Sequence, residues 1–188
     1  FSNMEIVGNI FDEYRIVFFY DKSDNPLDKT LEVIQEYQLR NNKVALIINP
    51  TPLINVGRTC KIAHARNSYI QYIKDNCPSF QYFIVMDCDE ICSPRIKIDL
   101  FKKYLHRTDW DALTFARSDY YDLWALSMKH LIYSICHFKQ PNALQIYKDA
   151  IYSAIRNCPP GGLIQVYSAF AGFGIYRTHK FIDCLYDS

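Results

Sequence analysis

The stretch that decides the fold is Tyr82-Phe83-Ile84-Val85-Met86-Asp87-Cys88-Asp89-Glu90, an apolar run that ends in carboxylates. The run from Tyr82 to Met86 is long enough for a buried strand and too short for a helix of its own. Continuous apolar sequence is typical of a strand covered on both faces, as in the parallel sheet of an α/β protein. We therefore predict a strand whose carboxyl end carries Asp87 and Asp89, where open α/β sheets bind their ligands.

The acidic end of this stretch predicts a metal site. Asp87, Asp89 and Glu90 are costly to hold together unless a cation or solvent offsets their charge. Mg²⁺ and Mn²⁺ prefer oxygen ligands, and Mg²⁺ is commonly shared between carboxylates and substrate phosphates. We expect Mn²⁺ or Mg²⁺ on Asp87 and Asp89, with His179 as a candidate third ligand. The alternatives are a solvated acidic turn and, for His179, a surface or capping role.

Predicted strands and helices alternate along the rest of the chain. The other predicted strands are 15–21, 43–49, 111–116, 163–167 and 171–176; the predicted helices are 2–13, 26–40, 57–76, 94–106 and 142–156. Such alternation favours βαβ units, so the expected fold class is α/β, with an open, mainly parallel sheet flanked by helices. Residues 114–176 mix aromatic, glycine and polar residues, which suits an irregular region that shapes a cleft.

The composition limits the class of protein. The 188 residues are 49% hydrophobic and carry a net charge of +1, which suits one domain with a real core and does not resemble a basic nucleic-acid binder. No apolar run approaches the roughly 20 residues that span a bilayer, and no signal peptide is visible. The seven cysteines form no paired C-x-x-C knuckles, so scattered thiols in a reducing compartment are the expectation.

A basic group lies on the helix that precedes the acidic strand. Arg58 and Lys61 are near its start, and Arg66 and Asn67 follow on a semi-buried stretch. Helix N-termini favour phosphate, and arginine binds phosphate with two hydrogen bonds. These four residues are therefore candidate ligands of a phosphate group. The alternative is an ordinary solvated basic face.

A second polar group follows the strand at 111–116. Asp119, Tyr121, Asp122 and Trp124 lie within a few residues of one another. A carboxylate there is a candidate base for an acceptor hydroxyl, and aromatic faces pack on sugar rings. Gly172, in a stretch of small residues, would let the backbone approach a ligand. The alternatives are a polar loop around a buried Trp124 and a bulged strand at Gly172.

Taken in order, these motifs resemble a metal-dependent glycosyltransferase of the GT-A (Rossmann-like) fold. The order is Gly57-Arg58-Thr59-x-x-Ile62-Ala63-x-Ala65-Arg66-Asn67, then Asp87-Cys88-Asp89, then Asp119 and Tyr121-Asp122-x-Trp124, then Ser168-x-Phe170-x-Gly172. It is similar to the cryptococcal-type α-1,3-mannosyltransferase family and to glycosyltransferase domains of large DNA viruses. The resemblance covers roughly residues 43–180.

The resemblance implies transfer of a sugar from a UDP- or GDP-sugar to a hydroxyl of a glycan or glycoprotein. Asp87 and Asp89 would hold the metal, the basic residues the diphosphate, and Asp119 or Asp122 would be the base, with Tyr121, Trp124 and Gly172 on the acceptor or sugar side. A single catalytic domain over 1–188 would have a nucleotide-binding half over about 1–92 and an acceptor half over about 93–188. It would be part of a longer protein.

Other functions remain open at this point. A nucleotidyltransferase or phosphatase with an acidic metal site is one, and a non-catalytic nucleotide-sugar-binding module of the same fold is another. The expected location is the cytoplasm, the host cytoplasm for a viral protein, or the Golgi lumen for an excised catalytic domain.

Overall fold

The structure, a computed structural model, describes residues 1–22, 27–51, 53–88, 97–115, 122–129 and 141–187, without the side chain of Trp124. The helices are α1 (Ser2–Gly8), α2 (Thr30–Arg40), α3 (Arg58–Asn76), α4 (Ile98–Leu105), α5 (Ala143–Asn157) and α6 (Thr178–Phe181). The strands are β1 (Ile16–Tyr20), β2 (Val44–Ile48), β3 (Tyr82–Met86), β4 (Ala112–Thr114) and β5 (Phe173–Arg177), and a 3₁₀ turn spans Leu123–Ala125. In these ranges the protein is mixed α/β, with a parallel pair β1–β2 and a small sheet in the order β3–β5–β4.

The chain divides into two compact units. The first comprises Phe1–Gln81, Arg95–Thr108 and Thr178–Ser188, and the second comprises Tyr82–Pro94 and Asp109–Arg177. Both units are therefore assembled from segments that are distant in sequence. The predicted functional halves, over 1–92 and 93–188, stay a prediction.

The first unit is built on the parallel pair β1–β2, with Ile16 opposite Val44. Ile16, Phe18 and Val44 form a buried cluster with Ile34 of α2. The next residue, Phe19, contacts the other helix: its ring lies edge-on to that of Tyr69 of α3, and its N–H donates to the Tyr69 hydroxyl at 3.2 Å. Because successive side chains of a strand point to opposite faces, α2 and α3 cover opposite faces of the pair.

The second unit is built on β5, the central strand of its sheet. Ile175 is 1% exposed, and the ring of Tyr176 stacks on Phe83 of β3 with centroids 4.9 Å apart. At the end of β5, the Arg177 guanidinium lies 4.4 Å from the centre of the Trp110 ring, and its Nε donates to the Trp110 carbonyl at 2.8 Å. These contacts bind the last residue of β5 to the segment that precedes β4.

A second cluster of the same unit lies beside this sheet. Leu123 and Leu126 pack with Ile151 of α5 and with Ala171, which precedes β5. Each of the four is at most 5% exposed. The 3₁₀ turn is thereby fixed against the segment that enters β5.

The structure confirms several predicted elements and corrects others. Helices α3 and α5 and strands β1 and β2 lie within a residue or two of their predicted bounds. The only neighbour of β3 in the described ranges is β5, which is antiparallel, so the predicted parallel neighbour is wrong there. As an edge strand in those ranges, β3 is half-buried rather than fully covered.

The predicted strand at 163–167 is also wrong, because that segment has no strand partner in the part of the chain that is described. It follows the turn at Gly161-Gly162; Val166 packs against the buried cluster, and the Tyr167 N–H donates to the Ser127 carbonyl at 2.7 Å. Among the described helices, none is long and apolar enough to cross a membrane.

Candidate functional site

The candidate site begins at the carboxyl end of β3. Asp87 follows the last strand residue, Met86, and is half-buried, whereas Cys88 is exposed. The backbone N–H of Asp87 donates to the Gly172 carbonyl at 2.8 Å, one position beyond the ladder pair Met86–Phe173. The backbone of Asp87 is therefore held by the segment that enters β5. The second predicted metal ligand, Asp89, lies outside the described residues.

The ends of β3 and β4 lie at the same edge of this sheet. Both strands are antiparallel to β5, so they run in the same direction as each other. Met86 pairs with Phe173 and Thr114 pairs with Gly174, and the Thr114 hydroxyl donates to the Phe173 carbonyl at 2.8 Å. The chain segments that follow Asp87 and Phe115 therefore leave the sheet from one edge.

Gly172 shapes this edge because of its backbone. Its φ is 81°, in the left-handed region that favours glycine, and the residue is buried. The preceding residue, Ala171, belongs to the buried cluster with Leu123 and Leu126. Gly172 thus connects the Asp87 backbone to the cluster that holds the 3₁₀ turn.

Asp122 immediately precedes that turn and is half-buried. The turn is held by Ser168, whose hydroxyl donates to the Ala125 carbonyl at 2.8 Å, and by the Ser127 N–H, which donates to the Ser168 carbonyl at 2.8 Å. Asp87 and Asp122 are therefore linked indirectly within this unit. The Asp87 N–H bonds to Gly172, and the preceding Ala171 packs against the turn that follows Asp122. The predicted residues Asp119 and Tyr121, and the side chain of Trp124, lie outside the described part.

Tyr176 is a residue of this unit that the sequence pattern did not single out. A Cβ added to Gly174 would lie 3.0 Å from the Tyr176 hydroxyl oxygen, so the phenol ring lies along its own strand over Gly174. The ring occupies this position because Gly174 has no side chain. A glycine two residues before a tyrosine in a strand is the sequence signal that points to this arrangement.

The basic group predicted on α3 divides into two parts within the first unit. Arg58 and Lys61 are exposed in the first turn of the helix. Asn67 instead donates to the Tyr186 carbonyl at 3.0 Å and accepts from the Tyr186 N–H at 2.8 Å, and the Arg66 guanidinium lies 5.2 Å from the centre of the Tyr186 ring. Arg66 and Asn67 thus have a structural contact that the sequence pattern did not predict.

His179, the candidate third metal ligand, lies on α6 of the first unit and is exposed. The described residues contain no group of three metal-ligating side chains close enough to hold an ion. The predicted pair is only half described, since Asp89 is outside these ranges. Carboxylate oxygens are nonetheless the donors that Mg²⁺ and Mn²⁺ prefer, so the chemistry of the residues fits such an ion.

The first unit has a polar pair at the carboxyl ends of its parallel strands, which sequence reasoning missed. Asp21 follows β1 and Asn49 follows β2, and the Asn49 amide donates to the Asp21 carboxylate at 2.9 Å. Asn49 is only 6% exposed and also accepts from the Thr51 N–H at 3.2 Å. The signal was present, since each residue is the polar one with which a predicted strand ends.

No family model, curated protein or solved structure matches this chain. The function must therefore be argued from the residues and their geometry.

The five cysteines in the described ranges, Cys60, Cys77, Cys88, Cys158 and Cys184, are free thiols. Burial raises the pKa of the Cys77 thiol, which keeps it protonated and unreactive. These thiols agree with the scattered, unpaired cysteines predicted from the sequence.

Proposed function

We propose that the protein is a metal-dependent glycosyltransferase of the GT-A type, which moves a sugar from a nucleotide diphosphosugar to a glycan hydroxyl. The observation that carries the proposal is the shared sheet edge in the second unit. There, β3 ends at Met86, just before Asp87, and β4 ends at Thr114. Gly172 accepts from the Asp87 N–H, and the preceding Ala171 packs against the turn that follows Asp122.

This arrangement suits a group-transfer site because Asp87 and Asp122 lie in the same unit, and the two carboxylates would have different tasks. Asp87 and Asp89 would hold Mn²⁺ or Mg²⁺, and the ion would offset charge on the diphosphate leaving group. Asp122 or Asp119 would accept the proton of the attacking hydroxyl, a task that needs a carboxylate on the acceptor side. The backbone of Gly172, without a side chain, would leave room for the sugar.

The first unit supports the proposal independently. Helices on both faces of a parallel pair are typical of α/β proteins, and open α/β sheets bind their ligands at the carboxyl ends of the strands. Asp21 and Asn49 supply hydrogen-bonding groups at this edge of the first unit.

The proposal does not draw on the basic residues of α3. That Arg58, Lys61, Arg66 and Asn67 contact the diphosphate stays a prediction, as does metal binding by His179. Arg66 and Asn67 already contact Tyr186, so they would bind a donor either beside Tyr186 or after these contacts break.

Thermal unfolding with UDP or GDP, with and without Mn²⁺, tests the proposal. Binding to the native state should raise the melting temperature, and the rise should require the metal. D87N/D89N should abolish the metal-dependent rise in melting temperature. D99N, which changes an exposed carboxylate on α4, should behave as the unchanged protein.

Two results would contradict the proposal. One is the absence of any rise with either nucleotide in the presence of Mn²⁺. The other is Asp87-dependent hydrolysis of p-nitrophenyl phosphate without donor-sugar hydrolysis or transfer, which would assign the carboxylates to a phosphatase.

A further inference from the structure

The first unit exposes aliphatic and basic side chains together where the chain enters α3. We call this group, Ile54, Val56, Arg58, Lys61 and Ile62, the α3-entry surface. Ile54 is 66% exposed, Val56 40% and Ile62 37%, so three aliphatic side chains that are close in sequence face solvent. Arg58 and Lys61 are exposed between them.

The backbone brings these side chains together. Arg58, Lys61 and Ile62 have the i, i+3, i+4 spacing that places residues on one side of a helix. Asn55 has a φ of 60°, so the chain turns there and reaches the helix N-cap Gly57 within two residues. Ile54 and Val56 therefore lie at the end of the helix that carries Arg58.

The chain segment that contains this surface carries charge of one sign. Residues 37–74 contain six lysines and arginines, and all 20 acidic residues of the chain lie outside that segment. None of the ion pairs in the described ranges involves Arg58 or Lys61. Arg58 and Lys61 therefore place positive charge beside the aliphatic groups of the α3-entry surface.

We propose that the α3-entry surface docks the protein on an anionic lipid bilayer. Ile54 and Val56 would enter the headgroup region, and Arg58 and Lys61 would lie against the lipid phosphates. Apolar side chains flanked by cations are typical of surfaces that lie in the membrane interface, because burial and charge attraction add there. This inference is independent of the proposed glycosyl transfer.

Other partners fit this surface less well. Single-stranded nucleic acid is bound by cations combined with aromatic rings, and the α3-entry surface contains only aliphatic side chains. A two-fold dimer would place the surface against itself, so that Arg58 and Lys61 would meet the same cations of the second copy. An anionic bilayer complements both the charge and the aliphatic groups.

Co-sedimentation with vesicles tests the docking. The whole chain is mixed with vesicles of phosphatidylcholine alone or of an equal mixture with phosphatidylserine, at low and high salt. We expect binding to the mixed vesicles only, and weaker binding at high salt because exposed charges are screened. Each cation near an anionic bilayer contributes about 1 kcal/mol, so R58Q/K61Q should weaken binding about thirty-fold.

Matched variants separate this surface from general effects. I54S/V56S should weaken binding at both salt concentrations, since burial of aliphatic groups is not screened. K102Q/K103Q on α4 and L144S/I146S on α5 remove the same kinds of exposed side chain elsewhere and should bind as the unchanged protein. D87N/D89N should also retain vesicle binding, so that failure of docking and failure of glycosyl transfer can be told apart.

The docking is overturned if the unchanged protein does not sediment with mixed vesicles, or if R58Q/K61Q and I54S/V56S bind as well as it does. It is also overturned if R58Q/K61Q loses UDP or GDP binding but keeps vesicle binding, because the cations would then belong to a donor site. A dimer that is detected by light scattering and lost in I54S/V56S, without vesicle binding, would assign the surface to self-association.

Discussion

Gly172 and Gly174 decide the shape of the candidate site although neither has a side chain. Gly172 has a φ of 81° and offers its carbonyl to Asp87, and Gly174 leaves space for the ring of Tyr176. A glycine in a strand suggests that another group approaches the backbone closely, or that the strand has a bulge. The sequence does not show which group approaches, because that depends on the partner strand.

We expect Gly172→Ala to destabilise the protein by about 1–2 kcal/mol, because an L-residue is strained in the left-handed region. The measurement is the free energy of unfolding in denaturant. Gly57→Ser is the control: Gly57 has a φ of −62°, and the nearest atom to an added Cβ is 3.8 Å away. An equal loss in both variants would contradict the role given to the backbone of Gly172.

Tyr37 makes stability depend on pH in alkaline solution. Its hydroxyl donates to Glu5 at 2.7 Å, and burial together with this hydrogen bond raises its pKa from 10.0 to about 12. The folded state therefore holds the proton more tightly than the unfolded state. The resulting stabilisation is fully present below pH 10 and is lost as the pH rises towards 12.

We expect Tyr37→Phe to lower stability at neutral pH by about 0.5–1.5 kcal/mol, the net value of a hydrogen bond. The same variant should flatten the decline of melting temperature between pH 10 and 12. Tyr72→Phe, which leaves the Tyr37–Glu5 contact intact, should keep the original profile. A Tyr37→Phe profile as steep as that of the unchanged protein would contradict the assignment.

At the scale of elements, periodicity predicted helices better than strand partners. Apolar positions in α3 recur about every 3.6 residues because one face of the helix is turned towards the core. Ala63 and Ile70 on that face are buried. Strand β3 was predicted from its apolar run, but the antiparallel partner β5 lies about ninety residues later and no local pattern specifies it. The segment 163–167 has an apolar pattern but no strand beside it in the described ranges.

The pairing of β3 with β5 predicts the effect of Gly174→Ala. The new Cβ would lie 3.0–3.2 Å from three atoms of the Tyr176 side chain and would displace the ring from its stack on Phe83. We expect a loss of about 1–3 kcal/mol, as for other overpacked cores. The measurement is chemical denaturation in a double-mutant cycle with Tyr176→Ala.

In the Tyr176→Ala background the cost of Gly174→Ala should shrink, because the ring that it displaces is absent. Strictly additive losses would show that the ring does not lie over Gly174.

At the scale of the whole molecule, contacts between distant segments hold each unit together. In the first unit, both hydrogen bonds of Asn67 reach Tyr186, 119 residues away in sequence. Lys74 of the same helix pairs with Asp183 at 3.1 Å. The residues after β5 thus return to α3, and the first unit needs three chain segments for its contacts.

We expect Asn67→Ala to destabilise the protein by about 1–3 kcal/mol, because it leaves half-buried backbone groups of Tyr186 without their partner. Hydrogen exchange at the Tyr186 amide should accelerate. Lys74→Ala removes only an exposed ion pair and should cost no more than about 1 kcal/mol without changing that amide. Unchanged exchange at Tyr186 in Asn67→Ala would argue against this contact.

The sequence by itself determined the α/β class, the bounds of α3 and α5 and the position of the acidic pair after β3. These features depend on local spacing, on strand-sized apolar runs and on the residues that interrupt them. Only the tertiary structure decided that β3 and β4 flank β5, that the Asp87 N–H bonds to Gly172, and that Asn67 holds Tyr186. Such pairings depend on contacts between residues far apart in sequence, which the local pattern of one chain does not encode.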